Sequence, residues 1–455
     1  MVQAHIILQD DARITRQLEA TNYMNDQEGT FTTAFIDGDL YYVVRPSALK
    51  ENKLDEVRSL AGDISRHAQQ AKIERVTATQ QVLDTLMNDA TTAFVEGFHL
   101  GAYAFDKYKS KKANPVAQLI IEGADAEAVS LGKTRADAMA LARDLMNEVS
   151  DHLNPEYYAE WMTEHFASTN VDVTILDRDA LIEHEMNGVL TVGQGSKYEQ
   201  RFAELRLANN PSKPLVALVG KGVTFDTGGI SLKSGADLSD MRMDMGGSAA
   251  VVGAMHLLAE TNADVNVIGL IPMVENAPDN TSVYPGEIIT YKNGTTVQVG
   301  NTDAEGRLIL ADALLRADEL GAEYVVDIAT LTGAIHNALG TDIAGVFGND
   351  ESLAFEMKKI GDENGDFNWP MPLVQSYNRG LKSDYADLNN ISNLGFAGSI
   401  TAGLFLQHFV KPETKWLHVD MAGTMEAPAA KGYYAKSATG FGARLLADYA
   451  LNVSK

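Results

Sequence analysis

Residues Leu215–Lys233 read LVALVGKGVTFDTGGISLK, and the fold is decided there. An apolar run of strand character ends at Gly220, and the chain then presents Lys221, Asp226, a glycine pair and Lys233. An Ala/Val-rich helical pattern follows at Gly247–Glu260. Outward from this stretch the same alternation repeats. Strand-like runs lie at Pro214–Val219, Val265–Val274, Tyr324–Ile328, Ile343–Phe347 and Trp416–Val419. Helical patterns lie at Leu308–Leu320, Leu353–Ile360, Ile400–Val410 and Ala438–Leu451. Such alternation implies an α/β domain with a mostly parallel central sheet flanked by helices. In these sheets, sites gather beyond the carboxyl ends of the strands.

The chain has 455 residues, more than one hydrophobic core usually serves, so a second domain is expected. The first 150 residues mix strand-like runs (TTAFIDG, LYYVVR, AQLIIEG) with helical patterns at Ala71–Leu100 and Lys133–Val149, which suggests a smaller α/β domain. Asn154-Pro155 then suits a helix start, with Asn as the cap and Pro in the first turn. The expected organisation is an N-terminal α/β domain over 1–150, a connecting helix over 151–168 and a larger C-terminal α/β domain over 169–455.

Composition is that of an ordinary globular chain: 45% hydrophobic and 22% charged. Cysteine is absent, which removes disulfides, thiolate metal sites and cysteine nucleophiles together. No apolar run is long enough to span a bilayer, and MVQAHIILQDDAR lacks the basic and apolar regions of a secretory signal. The expectation is a cytoplasmic protein. A net charge of −25 opposes binding to nucleic acid or anionic lipid. The one basic cluster, FDKYKSKK at 105–112, reads as a solvated turn.

Three segments concentrate chemistry. The first is the opening stretch, with Lys221, Asp226 and Lys233. The second is MRMDMGG at 241–247, where Asp244 precedes a glycine pair. The third is NTDAEGR at 301–307, which follows the strand-like TTVQVG. If NTDAEGR starts extended, period-2 alternation points Asp303, Glu305 and Arg307 to one face. Taken singly, each has a plain reading: a Gly-rich turn, a helix-capping acid, a solvated strand edge, surface lysines. Taken together, Asp226, Asp244, Asp303 and Glu305 would be costly at one site unless they held cations. Four carboxylates and two divalent ions cancel in charge. No histidine lies in the three segments, so the site would be oxygen-rich and open to zinc, manganese or magnesium. His256, His336, His408 and His418 fall in helix- or strand-like stretches and read as structural.

These segments closely resemble the signatures of the leucine aminopeptidase (cytosol aminopeptidase) family. The resemblance continues through DIATLTGA (327–334), SDYADLNN (383–390), ITAGLFLQHF (400–409), WLHVDMAGT (416–424) and ATGFGARLLA (438–447). Towards the N-terminus it is carried by EGFHLGAYAFDKYKSKK (96–112), while the connector around Asn154 departs from the family's usual Asn-Pro-Pro form. The resemblance implies a dinuclear metallo-aminopeptidase that uses a metal-activated hydroxide on peptides with a free N-terminus, Leu- and Met-like residues preferred. It implies that Asp226 and Glu305 bridge the ions, that Lys221 and Asp244 complete the tighter site, and that Asp303 serves the exchangeable one. Lys233 and Arg307 would be catalytic, with bicarbonate held at Arg307. Met241, Asn301, Thr330, Leu331 and Gly333 would meet substrate. Zinc or manganese is the expected metal, and a homohexamer built as a dimer of trimers the expected assembly. The alternatives are a two-metal hydrolase of another class, such as a phosphoesterase, and a DNA-binding regulatory protein. The charge of −25 speaks against the second.

Overall fold

In the computed structural model, which describes residues 2–15, 29–49, 53–234 and 237–455, the chain divides into two compact units. The first takes residues 1–140 together with 363–365 and 427–437, and the second takes the remainder. The sequence reading placed a boundary at 150 and did not foresee that two later stretches join the first unit.

The first unit is built on strands β1 (Gln3–Leu8), β2 (Phe31–Ile36), β3 (Asp39–Val44), β4 (Arg75–Thr79) and β5 (Gln118–Glu122), ordered β2-β3-β1-β4-β5. Only the β2–β3 hairpin is antiparallel. The expected helix over 71–100 is broken. β4 occupies its start, because Val76, Thr77 and Thr79 are β-branched and the strand alternates between buried and half-buried positions. Thr79 then caps the helix Gln80–Leu86, accepting the Val82 N–H at 3.3 Å. Asp89, at a positive φ of 56°, separates that helix from Ala90–Gly101.

The helices Leu54–Gln70 and Ala90–Gly101 pack on one another through glycine. A Cβ at Gly97 would lie 2.1 Å from the Arg58 carbonyl oxygen. The same face buries an ion pair, Arg58 Nε to Glu96 Oε2 at 2.9 Å.

The second unit carries the larger sheet. Its strands are β6 (Asp172–Leu176), β7 (Arg201–Ala208), β8 (Val216–Gly220), β9 (Gly222–Asp226), β10 (Asn266–Asn276), β13 (Tyr324–Ala329), β14 (Ala344–Gly348), β15 (Asn368–Pro370) and β17 (Lys415–Asp420). A separate small sheet joins β11 (Ile288–Thr290), β12 (Thr296–Gln298) and β16 (Leu388–Asn389). The large sheet runs β15-β14-β17-β13-β8-β10-β7-β6, with β9 also pairing β10. Its centre, β17-β13-β8-β10, is parallel, and β14–β17, β10–β7 and β7–β6 are antiparallel. This is the mostly parallel, helix-flanked sheet that the alternation predicts. VALVG of β8 is buried at every position, as expected for a strand covered on both faces. Asn154 caps the helix Pro155–Phe166 by accepting the Tyr157 N–H at 3.1 Å. Among the described residues, no helix is long and apolar enough to cross a membrane.

The glycine contact at 97 gives a direct test. Gly97→Ala forces a methyl group against the Arg58 backbone, so unfolding in urea should show a loss of about 1–3 kcal/mol. Unchanged stability would mean that the two helices do not pack this closely.

Candidate active site

The site forms where parallel strands end. Lys221 is the first residue beyond β8, Asp226 the last of β9, and Asn276 the last of β10. Thr330 follows β13, and Asp420 ends β17. Asp244 arrives on a 3-10 turn, Leu238–Met245, that leads into the helix Gly246–Glu260.

Two lysines knit four carboxylates together. Lys221 Nζ lies 2.8 Å from Asp244 Oδ1 and 2.9 Å from Glu305 Oε1, and donates to the Thr330 carbonyl at 2.9 Å. Lys233 Nζ lies 2.7 Å from Asp226 Oδ2 and 2.5 Å from Asp303 Oδ1. Carboxylate oxygens of Asp226, Asp244 and Glu305 converge within 4.8 Å of one another. Asp303 stands half-buried beside them, linked through Lys233.

Burial sets the electrostatics. It pushes Asp226 up to about 6, assisted by the charge of Glu305, and holds Asp244 well above the usual carboxylate range. Burial acts the same way on Glu305, but the adjacent Lys221 ammonium outweighs it and holds that acid low. Burial pulls Lys221 down, but Asp244, Glu305 and Asp226 outweigh it and hold the ammonium above the usual lysine value. Burial also brings Arg307 down to about 10.

The donor set fits divalent ions. Oδ2 of Asp244 and Oε2 of Glu305 are buried and take no hydrogen bond from the described residues. Buried carboxylate oxygens without donors are costly, and oxygens that converge in this way suit a hard or borderline cation.

Loops hold this arrangement by hydrogen bonds that the sequence reading did not assign. NTDAEGR is not extended. Thr302 and Asp303 form a turn, and Glu305 is already helical (φ −74°, ψ −37°) before the helix Gly306–Glu319. Glu305 and Arg307 therefore reach the site from a helix start, not by strand alternation.

Asn390, fully buried, moors this turn. Its Oδ1 accepts the N–H groups of Gly300 and Asn301 at 2.8 and 3.2 Å, and its Nδ2 donates to the carbonyls of Asn301 and Ala304 at 2.7 and 3.2 Å. Its own carbonyl accepts Arg307 Nη1 at 2.8 Å. Asn276 Nδ2 donates to Asp226 Oδ1 at 2.8 Å and to the Thr302 carbonyl at 3.1 Å, so it joins the two acidic loops. Thr302 Oγ1 in turn donates to the Gly228 carbonyl at 2.6 Å. Gly228 and Gly229 sit at φ +89° and +62°, and a Cβ on Gly228 would meet Asp303 Oδ1 at 2.9 Å, so DTGG needs its glycines. Asn276 and Asp420 carry a signal the sequence offered, a polar residue at the end of an apolar strand. Asn390 falls within SDYADLNN, but its role depends on the small sheet that brings β16 beside β12.

A cleft of about 530 Å³ opens beside the acids, and Asn301, Asp303, Arg307, Leu331, Thr332 and Gly333 are on its wall. Met241 and Thr330 are not among its lining residues. Met241 is half-buried in the 3-10 turn, and the Thr330 hydroxyl donates to Asp244 Oδ1 at 2.7 Å. Arg307 Nε is buried with no hydrogen-bond partner among the described residues.

Comparison with known proteins decides the family. The cytosol aminopeptidase family's catalytic domain matches residues 140–447, and its N-terminal domain matches residues 49–112. The chain belongs to the cytosol aminopeptidase family. A probable cytosol aminopeptidase of Xanthobacter autotrophicus is 38% identical, over 96% of this chain and 90% of its own. One of Mycobacterium tuberculosis is 39% identical, over 95% and 85%. Among solved structures, the bottromycin maturation enzyme BotP in complex with Mn superposes with a TM-score of 0.91 at 31% identity, covering 100% of this chain and 99% of that one. As a member of the cytosol aminopeptidase family, the chain is an aminopeptidase, a hydrolase of the leucyl aminopeptidase type.

The mooring of its acidic loop is open to test. Asn390→Asp keeps the shape but turns a carboxylate oxygen towards two backbone carbonyls. Denaturant unfolding should register a loss of about 1–3 kcal/mol, with a fall in aminopeptidase kcat/KM. Wild-type values for both would remove Asn390 from this role.

Proposed function

We propose that this aminopeptidase releases N-terminal residues, Leu- and Met-like ones preferred with broad tolerance, using two divalent ions held by Lys221, Asp226, Asp244, Asp303 and Glu305. The observation that carries this reading is the pair of buried, undonated oxygens, Asp244 Oδ2 and Glu305 Oε2, on acids that converge with Asp226. In it Asp226 and Glu305 would serve both ions, Lys221 and Asp244 would complete the tighter position, and Asp303 would complete the exchangeable one. The donor set suits zinc, manganese or magnesium, and the likeness to an enzyme solved with Mn supports manganese among them. When bound, the ions polarise the scissile carbonyl and bring the pKa of a water near neutrality.

The chain's own groups divide the remaining work. Lys233, an ammonium at the edge of the acid cluster, offsets negative charge developing on the carbonyl oxygen. Lys221 would serve as a ligand only as the neutral amine, a form that an adjacent dication favours. Arg307 has one guanidinium edge fixed by Asn390 and holds an anion with the rest; bicarbonate there serves as general base. The free α-amine of the substrate takes the exchangeable side, which restricts cleavage to the first peptide bond. Asn301, Leu331 and Gly333 on the cleft wall receive the first residue, with Met241 and Thr330 joining them. Family membership supports a cytoplasmic homohexamer arranged as a dimer of trimers.

The test is hydrolysis of Leu-p-nitroanilide before and after chelation, with restoration by zinc or manganese. Activity should vanish and return, a phosphate ester should not turn over, and Lys233→Ala should lower kcat by about 10²–10³. Activity indifferent to chelation would overturn the metal reading, whereas Arg307→Ala with an unchanged bicarbonate response would overturn the role of the arginine alone.

A further inference from the structure

Asp420 takes no part in the chemistry described so far, yet it is fully buried at the carboxyl end of β17, beside the site. Its Oδ1 accepts three backbone N–H groups, those of Leu331 at 3.2 Å, Thr332 at 3.3 Å and Ala422 at 3.3 Å. Its Oδ2 accepts the Thr332 hydroxyl at 2.6 Å. That hydroxyl oxygen accepts the Ile335 N–H at 3.2 Å and so caps the helix Gly333–Leu339. One carboxylate therefore fixes Leu331 and Thr332, which lie on the cleft wall with Gly333.

The turn from β13 into that helix is three residues long, and each is held differently. Thr330 faces the acids: its carbonyl accepts Lys221 Nζ, and its hydroxyl donates to Asp244. Leu331 and Thr332 are held by Asp420 from the opposite strand neighbour, since β13 and β17 pair in parallel and Ala329 lies level with Asp420. A carboxylate is suited to this task because four donors converge on its two oxygens. Burying its charge is tolerable only because all four are present.

We infer that Asp420 is a positioning residue for substrate selection: it sets the place of the Leu331–Gly333 wall relative to the acid cluster, and so which N-terminal side chains fit. This rests on the reading of that wall as the seat of the substrate's first residue.

The test compares Leu- and Ala-p-nitroanilide on the full-length enzyme with saturating manganese, with bound metal measured for each variant. Asp420→Ala should lower kcat/KM for the Leu substrate by about tenfold or more, mainly through KM, and compress the Leu-to-Ala ratio. Asp420→Asn, which can still present an oxygen to the three N–H groups, should recover to within about threefold of wild type. Thr332→Val, which removes one hydroxyl from the surface of the same network, should shift the ratio in the same direction. Should Asp420→Ala fail to fold, Thr332→Val decides. A wild-type ratio in folded variants, or equal losses of kcat for both substrates at unchanged KM, would overturn the inference. A wild-type Leu-to-Ala ratio for Leu331→Ala would instead sink the reading of the wall, so the two failures are separable.

Discussion

Mutual repulsion among four carboxylates is the constraint around which the second unit is arranged. Asp226, Asp244 and Glu305 are buried and mutually close, and water that would dissipate their charge is excluded. Such a group holds together only with counter-cations in place and with its backbone fixed from outside. Lys221 and Lys233 supply the first requirement from within the chain, with contacts of 2.5 to 2.9 Å. The second is met by the neutral groups around them. Asn276 steadies Asp226, Thr330 steadies Asp244, and Asn390 steadies the loop that carries Asp303 and Glu305.

The parallel sheet makes this economical. Strands β8, β9, β10, β13 and β17 deliver their last or next residues to one edge, so short loops suffice to bring distant parts of the chain together. Residue pairs that touch there are far apart in sequence: Lys221 and Thr330, Asn276 and Thr302, Asp420 and Thr332. Deeper in the sheet, His418 Nδ1 lies 2.5 Å from Asp327 Oδ1, and Trp416 Nε1 donates to Asp327 Oδ2 at 2.7 Å. Polar side chains thus cross-link β13 to β17 below the catalytic edge. The cross-links give the edge a rigid base, which a constellation of like charges requires.

The parts of this design that were legible in the sequence are those with local causes. The strands of the parallel core announce themselves as short apolar runs, and the ends of the helices beside them fall within a few residues of the periodic patterns. The acids and lysines were legible because their residue types are improbable together without cations. What escaped depends on tertiary pairing. β4 was concealed in a helical pattern, because five residues of RVTAT become a strand only between β1 and β5. The turn at the start of NTDAEGR has no local marker, because it is held by Asn390, a residue 83 positions beyond Arg307. The return of 427–437 to the first unit likewise has no local marker.

The two lysines show how the same side chain is given different work by its surroundings. Lys221 is 3% exposed and meets two carboxylates and a carbonyl, so all three ammonium donors are used and its stem is fixed. Lys233 is 23% exposed and meets two carboxylates at the mouth of the cluster. Asp303, one of those two partners, also lines the cleft, together with Arg307. Position relative to the buried acids, more than residue type, separates the surroundings of the two lysines.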